Sequence, residues 1–420
     1  MSLQFQPTLD PTHIRACHEC DLLHHIEPLP AGSRALCSRC GSLLYRNIPN
    51  ARQRAIALSL AALIALVLAN MFPFISFEIS GRIQETIFIS GALSLWHLGM
   101  GELGALVFLT SVLFPLLTII GMLYTMVQLK PATPLPGSSI VCRAVVALMP
   151  WCMLDVLLLS TLIAMAKLLD IAYIIPGISF YAFVALVFLM AMAYSNFDAT
   201  LLWPLAASTP RHPKEKSTAL ASGWISCHTC SMLLPATSIQ EGVRCARCCS
   251  PLHQRKIDTT TRTWAWIITS VLLFIPANIY PVMTVIRFGQ GEPNTIISGV
   301  IQMFDEGMWP LGMIVFVASI IIPVMKLLIL TFLQLSVQQR SVWRLRDRSI
   351  LYRYTELIGS WSMVDIFVIA LLTALVKLGA VSSITPGIGA VFFATMVLTT
   401  ILAARSFDPR FIWDRQGEKE

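Results

Sequence analysis

Eight of the eleven cysteines stand in four Cys-x-x-Cys pairs, and the pairs come two by two. Cys17 and Cys20 are followed after 16 residues by Cys37 and Cys40. Cys227 and Cys230 are followed after 14 residues by Cys245 and Cys248. Two knuckles at this spacing bring four thiolates into a tetrahedron, the donor set of a structural zinc ribbon. A segment of about 30 residues cannot build an adequate core, so metal binding would supply most of its folding free energy. The spacing predicts two structural zinc ions per chain. Redox-active dithiols and rubredoxin-like iron are the competing chemistries, because Cys-x-x-Cys also serves thiol exchange and four thiolates discriminate poorly between metals. Cys249 adjoins Cys248, but Cys248 keeps the two-residue spacing and is the expected ligand. His18 and His228, inside knuckles, are expected to face solvent, and Cys142 and Cys152 to serve packing. Arg244, Arg247 and Arg255 lack interleaved aromatics, so no nucleic-acid partner is expected.

A second group of chemically capable residues lies in apolar surroundings. Asp155, Lys326 and Asp365 each sit inside a long uncharged stretch. Ionisable groups at membrane depth cost several kcal/mol and by default suggest function. Lys326 and Asp365 lie at similar distances from the charge cluster between Arg340 and Arg353, so a contact between them is expected. Ser319, two turns before Lys326, and Thr400, near the end of the last stretch, would complete a polar network. In the competing reading the pair only holds helices in register. Pro115 and Pro323 are expected as kinks, and Lys167 and Lys377 as anchors at helix ends.

The elements that position these groups follow from composition. Of 420 residues, 56% are apolar and 13% charged, and mean hydropathy is +0.71. A soluble domain carries about 25% charged residues, so a water-soluble surface is excluded. Uncharged runs cover 55–77, 103–129, 171–197, 263–286 and 378–404, each long enough for a bilayer crossing of about 20 residues. Three more carry one charge each: 144–166, 307–339 and 357–376. Hydrocarbon admits only helices or closed barrels, so the class is an all-α polytopic membrane protein with eight transmembrane helices. No early apolar segment suggests a secretory signal. Lys and Arg number 25 in the termini and the even-numbered loops and four in the loops opposite, with Lys326 inside a span. That bias places both termini and the central linker in the cytoplasm.

The chain is also a tandem duplication. Cys17-His-Glu-Cys20 recurs as Cys227-His-Thr-Cys230, 210 residues on. Ala69-Asn70-Met71-Phe72-Pro73 recurs as Ala277-Asn278-Ile279-Tyr280-Pro281, 208 residues on. Ile89-Ser90-Gly91, Met153-Leu154-Asp155, Lys167, Pro176-Gly177 and Phe197-Asp198 all have partners at 208 or 210. Each half is a zinc ribbon followed by four transmembrane helices, in parallel orientation because four is even. The expected domains are 1–50 ribbon, 51–200 membrane unit, 201–222 linker, 223–258 ribbon, 259–408 membrane unit and 409–420 tail. A hairpin at the membrane surface is expected over 74–89. Thr118 stands where the second half has Lys326, so the halves have diverged.

The paired ribbons, Ala-Asn-x-x-Pro closing the first span of each half, Ser319-x3-Pro323-x2-Lys326 and Trp361-Ser-Met-Val-Asp365 resemble the paraquat-inducible protein A family. That family includes the lipophilic envelope-spanning tunnel A proteins. The resemblance covers nearly the whole chain. It implies a multi-pass protein of the bacterial inner membrane that works with a periplasmic MCE-domain tunnel protein. It further implies phospholipid transport between membranes, loading or unloading the tunnel, without enzymatic activity. The alternatives are a membrane thiol–quinone redox protein and a non-transporting scaffold for the partner. No Gly-x4-Gly-Lys-Ser/Thr phosphate loop occurs, so ATP hydrolysis by that route is not expected. Proton exchange at Asp365, countered by Lys326, is the expected coupling.

The charge bias generates the first prediction. Single cysteines at Gly81 and Gly289, with reactive native thiols masked, should react with an impermeant thiol reagent in intact spheroplasts. Labelling at Ser341 instead would invert the topology.

Overall fold

The computed structural model describes residues 14–79, 82–127, 137–168, 173–197, 217–238, 243–245, 247–287, 290–375 and 382–414. Among the described residues, eight helices are long and apolar enough to cross a membrane. With two shorter ones they are α1 Ala51–Met71, α2 Ser90–His97, α3 Gly101–Val127, α4 Ser138–Lys167, α5 Ile178–Asn196, α6 Thr259–Ile279, α7 Ile296–Asp305, α8 Trp309–Gln338, α9 Leu345–Leu375 and α10 Ile388–Ser406. Helices α6 to α10 repeat α1 to α5. The expected spans are all found, but α5 and α10 begin later than expected, α1 and α6 end earlier, and α4 and α9 begin earlier. Their first turns carry Arg143, Arg346, Arg348 and Arg353. A hydropathy window stops at such charges, whereas a helix leaving the hydrocarbon continues through them.

Each half also holds a small sheet at the end of the bundle away from the ribbons. In the first, β5 Ile75–Ile79 pairs antiparallel with β6 Arg82–Thr86 and with β7 Tyr173–Pro176. In the second, β10 Met283–Arg287 pairs with β11 Gln290–Asn294 and β12 Ser382–Pro386. The hairpin was expected; its third strand was not, and it shortens the expected spans 171–197 and 378–404. The turns at 80–81 and 288–289 lie outside the described residues. The third strand also explains the Pro-Gly pairs 176–177 and 386–387. A Cβ on Gly177 would collide with the carbonyl oxygen of Pro73, and one on Gly387 with that of Pro281. Glycine is needed there for the crossing with Ala-Asn-x-x-Pro, besides proline's compatibility with a helix start.

The two expected kinks are more specific than simple bends. Residues 109–113 of α3 and 317–321 of α8 form single π-helical turns ahead of Pro115 and Pro323. Proline cannot donate to the carbonyl four residues back and clashes with it. Widening the turn moves that carbonyl, on Ser111 or Ser319, out of the way. Helices α4 and α9 are interrupted instead by 3-10 turns at 149–151 and 359–363.

The halves meet along α9. All residues from Val364 to Leu375 are buried. Helix α9 packs on α4 and α2 of the first half, and the Ser160 hydroxyl donates to the Val364 carbonyl at 2.9 Å. Gly91 on α2 allows the closest approach, since a Cβ there would stand 3.2 Å from the Ala370 carbonyl oxygen.

The ribbons are exchanged between halves. The first ribbon, β1 Ile14–Ala16 to β4 Leu43–Arg46, buries its cysteines against Leu333, Leu345, Tyr352, Phe407 and Trp413 of the second half. Arg353 grips Glu19 through Nε and Nη2 at 2.6–2.8 Å and also donates to the Cys40 carbonyl at 2.7 Å. The second ribbon contains β8 Trp224–Ser226 and β9 Leu233–Pro235. It packs on Cys142 of α4, and Arg143, the repeat partner of Arg353, donates to the Cys249 carbonyl at 3.3 Å. Residues 217–222, expected as linker, join the first ribbon through the Leu22–Thr218 bridge. Residues 409–412 form a 3-10 turn rather than a free tail. There Arg410 pairs with Asp408 and lies 3.0 Å from His228. Burial opposes ionisation of Asp408, but Arg410's hydrogen bonds and charge hold its carboxyl down to about 2.

A hydrogen-bonded carboxylate of this kind is worth about 1.5–3 kcal/mol. Arg353→Met should therefore speed metal release from the first ribbon to a chelator about tenfold. Arg143→Met, which removes one neutral carbonyl contact, should change the second ribbon's release far less. Equal rates in wild type and Arg353→Met would show that the grip on Glu19 does not hold the ribbon.

Candidate metal centres and buried polar site

The four knuckles share one backbone design. In each, the residue after the second cysteine donates its N–H to the carbonyl of the first: Asp21 to Cys17, Gly41 to Cys37, Ser231 to Cys227 and Cys249 to Cys245, at 2.8–2.9 Å. The same four residues have positive φ, from +54° to +73°. Gly41 adopts that conformation freely; the other three hold it against the usual steric preference. Cys249 thus occupies the turn position and is exposed, while Cys248 is buried among the ligands.

The turns bring the thiols together as the spacing requires. Cys17 and Cys40 sulfurs lie 3.5 Å apart, and those of Cys20 and Cys37 3.4 Å. In the second ribbon Cys227–Cys248 and Cys230–Cys245 measure 3.5 and 3.6 Å. All four sulfurs of each cluster lie within 4.8 Å of one another. A tetrahedron with metal–sulfur bonds of about 2.3 Å has edges of about 3.8 Å, so each cluster fits one metal ion. Cys17, Cys20, Cys37 and Cys40 would hold one, and Cys227, Cys230, Cys245 and Cys248 the other. The metal would crosslink each ribbon. The cysteine spacing does not reveal the groups around the sulfurs. Ser42 Oγ lies 2.9 Å from Cys17 and 3.2 Å from Cys40, and Ser250 Oγ 3.3 Å from both Cys227 and Cys248. His24 Nε2 lies 3.2 Å from Cys37. A serine two residues after the fourth cysteine of both modules was the available signal. His18 faces solvent, whereas His228 is engaged with Arg410.

The polar residues of the spans separate into two couples. Lys326, 3% exposed, donates from Nζ to Thr400 Oγ1 at 3.2 Å. Gly359 makes room for it, since a Cβ at 359 would stand 2.8 Å from the ammonium. The neighbouring Thr399 accepts from Ser270 at 2.8 Å, a partner the sequence did not suggest. Asp365 lies instead beside Ser319 and lines a recess together with Lys167 of the first half. Its Oδ2 is buried without a hydrogen-bond partner. The expected Lys326–Asp365 contact is absent: among the described residues neither forms an ion pair. Similar depth did not mean the same face, because depth along a helix leaves the rotation about its axis open.

The first half carries a different set. Thr118, at the Lys326 position, lies 3.4 Å from Cys152. Met190 replaces Thr400 at the 210 offset and is buried. Asp155, expected in the network, is exposed on the surface of the bundle and stands apart from the second-half residues. Lys167, expected as an anchor, lines the same recess as Asp365. Lys377 lies outside the described residues.

Comparison with known proteins places this arrangement. The sequence model of the family described as Paraquat-inducible protein A matches residues 52–206 and 260–417, once in each half. The intermembrane transport protein PqiA of Escherichia coli K12 is 34% identical over 407 residues, 96% of both chains. The lipophilic envelope-spanning tunnel protein A of the same organism is 28% identical, covering 95% of this chain and 90% of that one. A probable intermembrane transport protein of Haemophilus influenzae is 28% identical across 97% of both. No solved structure matches.

The family match begins at the first span of each half, so the cysteine sites stand on the geometry above. Cys248→Ser should halve the metal content of purified protein, as should the pair Cys37→Ser with Cys40→Ser. Cys249→Gly should keep full content. Elemental analysis decides it: metal lost with Cys249 and kept without Cys248 would reverse the ligand assignment.

Proposed function

This chain belongs to the paraquat-inducible protein A family, and from that premise we propose that it is the membrane component of an intermembrane phospholipid transport system. Its relatives carry intermembrane transport names, and it has eight helices able to span a membrane. We place it in the bacterial inner membrane with both termini and both ribbons cytoplasmic, on the 25-to-four bias of basic residues. Its partner is a periplasmic MCE-domain tunnel protein, which it loads or unloads with phospholipid. The ribbons hold zinc, the ion that four thiolates at tetrahedral spacing favour in a reducing compartment. They act structurally, and the chain is not itself an enzyme.

One observation carries the reading: the second half buries Lys326 and Asp365 in apolar surroundings without pairing them to each other. Removing charges from water costs several kcal/mol each. A purely structural pair would recover part of that cost by direct contact. Lys326 bound to Thr400, and Asp365 beside a Ser319 whose hydroxyl is given to the Val315 carbonyl, suit groups that meet a polar headgroup or exchange a proton as helices α8 to α10 rearrange. A redox reading is disfavoured because all four knuckles lie at one end, where a metal fit accounts for their thiols. Asp155, on the bundle surface, is a weaker candidate for the same role.

Purified protein should carry phospholipid detectable by mass spectrometry; a scaffold would carry only what detergent exchange leaves. Asp365→Asn, Lys326→Ala and Thr400→Val should each reach the membrane at wild-type level yet fail to complement a strain lacking this protein. If Asp365→Asn combined with Lys326→Met restores growth, the residues only hold helices together and their role in coupling transport fails.

A further inference from the structure

The duplication makes a contact expected that one side of the molecule lacks. On one side of the interface α2 packs along α9, with Gly91 against the Ala370 carbonyl. The repeat-related helices are α7 and α4, and they form no comparable seam. Gly299, the repeat partner of Gly91, has no atom within 4 Å of where its Cβ would be. A small recess, open at its mouth, lies there. It is walled by Met303, Val315, Val368 and Ile369, and Lys167 and Asp365 line it.

The two charged residues come from different halves. Lys167 ends α4 at the end of the bundle away from the ribbons, and Asp365 lies on the buried run of α9. Both line the one recess, yet they form no ion pair among the described residues. Asp365 is 8% exposed and its Oδ2 has no donor. Buried carboxylate oxygens are normally hydrogen-bonded, because an unmade bond forfeits the whole desolvation cost. An apolar recess lined by an ammonium and by a carboxylate with one unpartnered oxygen is complementary to a ligand that carries both an anion and a hydrogen-bonding cation.

We propose that this recess between the halves binds the headgroup of an aminophospholipid, with the phosphate on Lys167 and the primary ammonium donating to Asp365. The inference deepens the transport reading and rests on it. Phosphatidylethanolamine has both groups. Phosphatidylglycerol lacks the cation and would bring its charge near the Asp365 carboxylate. Phosphatidylcholine has a cation with no N–H to donate, so it leaves Oδ2 unpartnered. Gly299 leaves the recess open, since a Cβ there would have no neighbour within 4 Å and a larger side chain would extend into that space.

The test uses full-length protein reconstituted in vesicles of equal parts phosphatidylethanolamine, phosphatidylglycerol and phosphatidylcholine, then re-extracted for native mass spectrometry. Wild type should retain phosphatidylethanolamine about tenfold over the other two, the discrimination expected of one charge-assisted hydrogen bond. Asp365→Asn should collapse the preference over phosphatidylglycerol, and Lys167→Ala should lower retention of all three. Gly299→Phe should abolish retention in a protein that still carries its full metal content, which keeps the test decisive if Asp365→Asn does not fold. Retention in proportion to vesicle composition, or retention unchanged in Gly299→Phe, would overturn the proposal. Displacement of bound lipid by soluble glycerophosphoethanolamine would overturn the lipid assignment in favour of a small zwitterion. Asp365→Asn that fails to complement but keeps the wild-type lipid ratio overturns the headgroup contact and leaves the transport reading standing. Wild-type protein that retains no phospholipid removes the transport reading itself.

Discussion

Hydrocarbon offers no hydrogen bonds, and that single deficiency shapes the membrane units. Every backbone N–H and C=O within the layer must be satisfied by its own segment, so the crossings are helices. Most polar side chains in them obey the same demand locally. Ser111, Ser319, Thr125, Thr161 and Thr331 each donate to a carbonyl four residues back. Such bonds cost nothing in tertiary specificity. Lys326 and Asp365 stand out because no local carbonyl can neutralise a charge, so their partners must come from other helices.

Outside the layer the same helices end in carbonyls without intrahelical partners, and basic residues meet them. Arg52 donates to the last carbonyls of α3, Arg46 to those at the end of α5, and Lys256 to Arg405 and Phe407 at the end of α10. The residues that bias the topology also fasten the ribbons to the bundle. Arg255 extends the network by bridging Asp21 of the first ribbon and Asp414 near the C-terminus. Because each ribbon docks on the opposite half, metal binding in one ribbon is tied to the placement of the other half's helices.

Duplication supplies two copies of one scaffold, and function requires them to differ. The shared parts are architectural: the knuckles, the π turns, the three-stranded sheets and the glycines under Pro73 and Pro281. The differences gather where the halves meet. Thr118 and Met190 give way to Lys326 and Thr400, Asp155 faces outward while its partner Asp365 faces in, and the seam at Gly91 becomes an opening at Gly299. A symmetric pair would have two closed seams or two openings. One of each lets α9 sit at the centre, covered by both halves.

The class, the eight long apolar helices, the duplication and the two four-cysteine clusters were legible in the sequence. Each of these is a one-dimensional property: hydropathy over about 20 residues, a repeat offset, a spacing of two residues between cysteines. The sequence also marked the ionisable residues of the spans, because their cost in hydrocarbon is independent of their partners. The tertiary structure alone decided who those partners are. Lys326 reached Thr400 rather than Asp365, and Lys167 became part of a recess rather than an anchor, because helix rotation and the crossing of the two halves leave no trace in hydropathy. The third strands, Tyr173–Pro176 and Ser382–Pro386, were hidden for the same reason. Their apolar residues continue the helical runs, and only pairing with a hairpin some 100 residues earlier reveals them as strands.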